Sequence, residues 1–293
     1  MSESAPLVLT IQSHVAYGHV GNAAAMLPLQ LLGLQAVAIH TVQFSNHTGY
    51  GEFKGQVFSA EHIRDVLDGL RARGVLARCR AVLSGYLGDA ASGEVILDAV
   101  NEMRRACADL IYLCDPVMGD TGRGLFVRPG VPEFLQRRAL QAASIITPNQ
   151  FEFEWLHGAP LHTLEEAVQA ARAMLGSGAQ RPGPQVVVVT SLHVDGVAPE
   201  CLGTLAVDAQ GAWLVQTPFV ALTPLPNGMG DVFSAVLLGH LLNGAHLPEA
   251  VSRTVSTLYA LVRHVQPGDR DLPLIAARAQ ITAPDRYFDA QRL

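Results

Sequence analysis

Short apolar runs alternate with helical stretches along almost the whole chain, and this alternation restricts the fold more than any other feature. Residues 7–11, 35–42, 81–84, 109–114, 143–146 and 186–190 each read as a strand. Such unbroken apolar runs suit strands buried on both faces. Between them a helix rich in Ala and Leu runs to Leu32, and further helices are expected at 60–74, 92–106, 150–156 and 164–175. In the 60–74 stretch Ile63, Val66, Leu67 and Leu70 share one face. Residues 201–217 read as a hairpin turning at 208–211, and two long helices near 228–243 and 247–265 complete the core. The expected fold class is α/β: a single doubly wound, mainly parallel central sheet flanked by helices. At 293 residues two smaller domains are also allowed by length, but no repeat, low-complexity segment or linker divides the chain. One domain over 1–293 is therefore expected.

A parallel sheet gathers the carboxyl ends of its strands on one edge, where ligands bind. Polar residues collect there. Ser13 follows the first strand, Thr48 the second, Tyr86 the third, Asp115 the fourth, and Asn149 and Glu152 the fifth. Each has a plain structural reading: Ser13 starting a helix turn, Asn149 capping 150–156, Asp115-Pro116 initiating a turn. Six of them on one edge point to a shared crevice. The first loop, 17–22, is not G-x-G-x-x-G, so a dinucleotide fingerprint is absent.

The stretch Asn227-Gly228-Met229-Gly230-Asp231 runs directly into an apolar helix, 232–242. Free N–H groups and the positive end of the helix dipole make such a start an anion site. Asp231 then reads in two ways. It caps the helix, or it takes a proton from a hydroxyl while the glycine N–H groups hold a transferring phosphate.

Composition narrows the partners. Net charge is −6 with no basic run, which argues against nucleic acid. Cys79, Cys107, Cys114 and Cys201 lack C-x-x-C or metal-finger spacing and read as reduced thiols. His14, His19 and His47 lie in the candidate loops, whereas His62, His157, His162, His193, His240, His246 and His264 read as surface or helix residues; none has zinc-site spacing. Residues 1–6 have no basic n-region, 7–11 is too short for a signal sequence, and no apolar run nears the ~18 residues of a membrane span. A cytoplasmic location without membrane contact is expected.

Five motifs carry a resemblance. Residues 12–22 (Gln-Ser-His-Val-Ala-Tyr-Gly-His-Val-Gly-Asn), 41–48 (Thr-Val-Gln-Phe-Ser-Asn-His-Thr), 83–88 (Leu-Ser-Gly-Tyr-Leu-Gly), 114–119 (Cys-Asp-Pro-Val-Met-Gly) and 228–231 resemble pyridoxal kinases of the ribokinase-like superfamily, the bacterial pyridoxal-specific type. The likeness extends from Leu7 to 284–288. It implies ATP-dependent phosphorylation of the pyridoxal 5′-hydroxyl, a reaction of vitamin B6 salvage. By matching position it implies Asp231 as general base and Gly228, Met229 and Gly230 as the anion hole. Ser13, His47, Thr48, Gly49 and Tyr86 match the pyridoxal side. Asp115, Thr147, Asn149, Glu152, Thr190, Thr217, Pro218, Phe219 and Val220 match the nucleotide side, with Asp115 and Glu152 near Mg²⁺. The glycine-rich 119–130 resembles a mobile lid over the nucleotide. The family also implies a homodimer, and activation by a monovalent cation is left open.

Three positions depart from the family pattern. Thr190 stands where relatives commonly carry lysine, Gly49 replaces a larger polar residue, and the lid has no cysteine, with apolar Leu125 in place. Two other readings stay open. One is a kinase of the same fold acting on hydroxymethylpyrimidine or on B6 vitamers broadly. The other is a non-catalytic protein that binds pyridoxal phosphate.

Overall fold

The structure is a computed structural model that describes residues 5–176 and 182–293. The expectation of one domain over 1–293 lies outside the described residues at 1–4 and 177–181. Ten strands form one sheet: β1 (Leu7–Val15), β2 (Gln35–Phe44), β3 (Gly55–Val57), β4 (Cys79–Ser84), β5 (Ile111–Cys114), β8 (Ile145–Ile146), β9 (Val186–Leu192), β10 (Cys201–Asp208), β11 (Gly211–Pro218) and β12 (Gln291–Arg292). The two strands missing from that series, β6 (Gly119–Asp120) and β7 (Gly124–Leu125), pair separately as a small hairpin. Strand order across the sheet is β12-β11-β10-β9-β8-β5-β4-β1-β2-β3. The six strands from β9 to β2 in that order run parallel, while β3 at one end and β10 to β12 at the other are antiparallel.

Side-chain alternation explains why both faces are covered. Leu7, Leu9, Ile11, Val82, Tyr112, Val187 and Val189 point into one core, packed by helices Ala60–Ala72, Ala90–Ala106, Gln150–His157 and Leu164–Met174. Val8, Ala81, Leu83, Leu113 and Val188 point into the other, against helices Asn22–Leu31, Met229–Leu242 and Leu247–Arg263. Successive residues of a strand face opposite ways, so a run apolar at every position feeds two cores. Full burial of one such large side chain, Phe153 for example, contributes roughly 1.5–3 kcal/mol.

Register then sets the site. Ile11, Ser84, Cys114, Ile146 and Val187 are neighbours in one row across the sheet. The residues that follow therefore emerge along one edge. Several element boundaries differ from the sequence reading by about two residues; at the site, β1 continues through Ser13 to Val15, so Ser13 lies inside the strand. Ladder pairing with β2 carries on past a bulge between Gln12 and His14, although the side chains have become polar. Apolar patterning reports burial, whereas strand length follows backbone pairing. Strands β3, β6, β7 and β12, and the helical segment 131–142, were not expected from sequence. These strands are only two or three residues long, too short to show a period. His240 lies in a helix as expected but is buried there.

Candidate active site

Helix Met229–Leu242 starts on Gly228, whose backbone is left-handed at φ 81°. A Cβ at this residue would lie 2.0 Å from the His19 carbonyl oxygen. Both the conformation and the close approach require glycine. Gly228 is the N-cap, so the capping reading of Asp231 does not hold. Asp231 stands three residues on, half-buried, beside the solvent-exposed Gly230. Burial raises the Asp231 carboxyl above the usual range, and the N–H of Gly21 draws it partly back. Gly21 is pressed against Ser13, where a Cβ would come 2.1 Å from the carbonyl oxygen. The end of β1 and the start of the helix are thereby brought together around one carboxylate.

Asp115 leaves the end of β5 at 4% exposure. Ser234 Oγ donates to its Oδ2 at 3.2 Å, and Thr147 Oγ1 lies 2.8 Å from Ser234 Oγ. With the Ser234 proton committed to Asp115, Thr147 donates to Ser234, giving a buried relay Thr147–Ser234–Asp115. A Cβ on Gly230 would lie 3.5 Å from Asp115 Oδ2, so Asp115 faces the helix N-terminus. Glu152, equally buried, takes N–H bonds from Met118 (2.9 Å) and Gly119 (3.4 Å) on Oε1 and from Asn149 (3.0 Å) on Oε2. The Asn149 side chain accepts from Glu152 N at 2.9 Å and donates to Gly119 O at 3.0 Å. The pair is a capping box, and the plain N-cap reading of Asn149 is what the geometry displays.

Electrostatics at this edge are one-signed. Burial, then the negative charges of Glu152 and Asp231, hold Asp115 well above the carboxylate range. Burial pushes Glu152 up to about 8 against the pull of its three N–H donors. Among the described residues, ion pairs join Arg71 to Asp68 and Glu102, Arg138 to Glu94 and Arg253 to Glu249, and none reaches Asp115, Glu152 or Asp231. Such a cluster suits a cation. Among the described residues no group of three His, Cys, Asp or Glu side chains forms an all-protein metal cage.

The expected pyridoxal-side residues lie in or just beyond β1, β2 and β4. His47 starts a 3₁₀ turn, Thr48–Tyr50, and its Nδ1 accepts from Gly49 N at 3.1 Å. Thr48 and Gly49 are exposed. A Cβ on Gly49 would come 2.9 Å from His47 Nδ1, so glycine here lets the histidine ring close over the turn. Burial lowers the pKa of His47, followed by the charge of Arg123 from the β6–β7 hairpin, with Asp271 opposing. Tyr86 is half-buried, its carbonyl held by Thr41 Oγ1 at 2.7 Å.

Nucleotide-side expectations divide. Thr147, Asn149 and Glu152 join the carboxylate cluster through the bonds above. Thr190 pairs by a backbone bridge with Asn149 and donates its N–H to Pro148 O at 2.9 Å. Thr217, Pro218, Phe219 and Val220 lie at the end of β11, with β10, β9 and β8 between them and β5. Among the described residues no hydrogen bond links them to the carboxylates; Phe219 is 55% exposed. Ser234, Gly21, Tyr50 and Asp271 were missed by sequence reading. Ser234 alone carried a signal, being three residues after Asp231 on the same helical face.

A helix N-terminus bearing a carboxylate, set at the strand ends of a doubly wound sheet, defines an α/β protein built to bind an anionic small molecule. The family model for phosphomethylpyrimidine kinase matches residues 25–274. Pyridoxal kinase PdxY of Rubrobacter xylanophilus is 49% identical over 98% of this chain and 97% of its own length. Pyridoxal kinase PdxY of Deinococcus radiodurans is 45% identical over 98% and 96%. Among solved structures, pyridoxal kinase from Leishmania donovani in complex with ADP and pyridoxine superposes with a TM-score of 0.88 at 31% identity, covering 98% of this chain and 99% of that one. The chain belongs to the pyridoxal kinases of this family. No helix among the described residues is long and apolar enough to cross a membrane.

Proposed function

We infer that the chain transfers the γ-phosphoryl group of ATP to the 5′-hydroxyl of pyridoxal, giving pyridoxal 5′-phosphate. The observation that carries this reading is Asp231, half-buried beside the exposed Gly230 at a helix N-terminus whose cap is glycine. Phosphoryl transfer asks a protein chiefly for positioning and charge stabilisation. The Gly228–Gly230 N–H groups supply donors and dipole for the transferring phosphate. Asp231 accepts the hydroxyl proton as the oxygen attacks, and its raised pKa brings it closer to the proton it receives. Ser13, His47, Thr48, Gly49 and Tyr86 hold the pyridine ring so that the hydroxyl lies against Asp231. Thr147, Thr190 and Thr217–Val220 receive the nucleotide.

Asp115 would hold Mg²⁺, with Glu152 adding charge and Ser234 fixing the Asp115 rotamer. When bound, the ion neutralises phosphate charge. A single domain acting as a cytoplasmic homodimer goes with this reading, and light scattering on the purified protein tests the dimer.

The test of the function is a steady-state assay with Mg²⁺-ATP on pyridoxal, pyridoxine, pyridoxamine and hydroxymethylpyrimidine. Turnover of pyridoxal with the highest kcat/KM is expected. Preferred turnover of another alcohol overturns the substrate, and tight pyridoxal phosphate binding without turnover of any overturns the enzyme.

A further inference from the structure

Segment Arg270–Asp271 joins two parts of the site that are far apart in sequence. On one side the Tyr50 hydroxyl donates to Asp271 Oδ2. Arg270 Nη1 donates to the Gly49 carbonyl at 2.9 Å, and its guanidinium lies 5.5 Å from the Tyr50 ring centre. On the other side the Arg270 carbonyl accepts from both Asn227 N (2.8 Å) and Asn227 Nδ2 (2.9 Å), and Asn227 immediately precedes the Gly228 cap. The segment itself is anchored: Leu272 and Leu274 are buried in a cluster with Val232 and Val236 of the helix Met229–Leu242. By contrast the turn it holds exposes Thr48 and Gly49.

We propose that Asp271 and Tyr50 are positioning residues that seat the His47–Tyr50 turn at a set height above the anion hole, so that the acceptor is bound in line with the phosphate. An exposed 3₁₀ turn has few contacts of its own to order it, and ordering it at the moment of binding weakens affinity. A hydrogen bond to the half-buried carboxylate of a segment anchored through Leu272 and Leu274 removes that cost in advance. A Cβ on Gly18 would come 2.9 Å from Asp271 Oδ2, so glycine at 18 leaves the carboxylate the room it needs to reach Tyr50. Tyr17 adds an edge-on ring contact to Tyr50 at 6.4 Å. The proposal rests on the reading that the 47–50 turn receives pyridoxal.

Tyr50→Phe, Asp271→Ala, Asp271→Asn and Thr48→Ala are assayed with pyridoxal and ATP varied separately, alongside melting temperatures. Tyr50→Phe and Asp271→Ala are expected to raise the KM for pyridoxal about 10-fold, the worth of one charge-assisted hydrogen bond. The KM for ATP should stay unchanged. The double variant should be no worse than either single one, since both remove the same bond. Asp271→Asn, which keeps an acceptor for the Tyr50 hydroxyl, should recover most of the loss. An unchanged pyridoxal KM in Tyr50→Phe, with Thr48→Ala raising it, overturns the positioning role and leaves the turn as substrate site. An unchanged KM in Thr48→Ala as well overturns the assignment of the turn and the proposal with it. Equal rises in both KM values with a lowered melting point would show a structural role only, and also overturn it.

Discussion

Ser234 Oγ donates to Asp115 Oδ2 at 3.2 Å from within the helix that carries Asp231. One turn of helix thus presents the proposed base and the group that orients the proposed metal-holding carboxylate. Ser234→Ala should raise the KM for Mg²⁺-ATP roughly 10-fold, equivalent to the ~1.5 kcal/mol of a hydrogen bond to a charged group. Titrating Mg²⁺ at fixed ATP checks this. An unaltered Mg²⁺ dependence would detach Ser234 from the ion.

Asp231→Asn keeps shape and burial but cannot accept the hydroxyl proton. We expect kcat to fall by ~10²–10⁴, the usual worth of a positioned base, with pyridoxal binding by calorimetry nearly intact. An unchanged kcat removes Asp231 from the mechanism.

The two glycines of the turn should separate fold from catalysis. At Gly228 a methyl group meets the His19 carbonyl at 2.0 Å in a left-handed backbone. Gly228→Ala should therefore destabilise by more than the ~1 kcal/mol of αL strain alone, seen as a lowered melting temperature. At Gly230 the same methyl sits at an ordinary 3.5 Å from Asp115 Oδ2. Gly230→Ala should keep its melting temperature and lose kcat, because the methyl occupies phosphate space. Equal melting losses in the two variants would contradict this division.

Thr190 is paired through its backbone to Asn149 and Pro148, which leaves its side chain half-exposed at the nucleotide edge. Thr190→Lys should lower the KM for ATP several-fold, on the order of the ~1 kcal/mol of a partly screened charge contact, with the pyridoxal KM unmoved. No change in the ATP KM would mean that another cation, such as Arg123 or Arg128 of the hairpin segment, already supplies the contact.

Next to Ser13 in β1, the His14 ring meets the His40 ring at 4.3 Å between centres, tilted by 37°. Asn22 Nδ2 lies 2.9 Å from His40 Nδ1 and 2.8 Å from the Ile39 carbonyl, so His40 accepts there and carries its proton on Nε2. Burial lowers both histidine pKa values, and the charge of His14 lowers His40 further. Below a pH of about 6.5 the unfolded chain then binds more protons than the folded one, so stability is complete above that value and falls as the pH drops. The buried carboxylates act in the opposite sense, since their raised pKa values favour the folded state in acid. Comparison with His40→Gln isolates the histidine part: the variant should lose less melting temperature between pH 7.5 and 5 than the parent. Parallel profiles would remove His40 from the pH response.

Much of this architecture was legible in the chain. Residues 7–11, 81–84 and 186–190 are almost wholly apolar because both of their faces are buried, and a short run of that kind needs no partner to be read. The glycines at 228 and 230, followed by Asp231, announced the anion site and the carboxylate, although not which of the two readings of Asp231 applied. The helix cap, on Gly228, removed the capping reading. Tyr50 and Asp271 show the opposite case. They are 221 residues apart, and nothing in the composition of either neighbourhood marks them as partners. Ser13 was expected beyond the strand end but lies inside the strand, since backbone pairing with β2 outlasts the apolar pattern.

Local chemistry therefore belongs to the sequence: which residues can turn, cap, ionise or bury themselves depends on side chains and spacing alone. The tertiary structure decided their company. It set three carboxylates at one edge with no ion pair to them among the described residues, placed Ser234 on Asp115, and tied the 47–50 turn to Asn227 before the helix start through residues 270–271. These relations arise when sheet register and helix packing close long loops, and the position of a side chain across such a closure is not encoded in any local period.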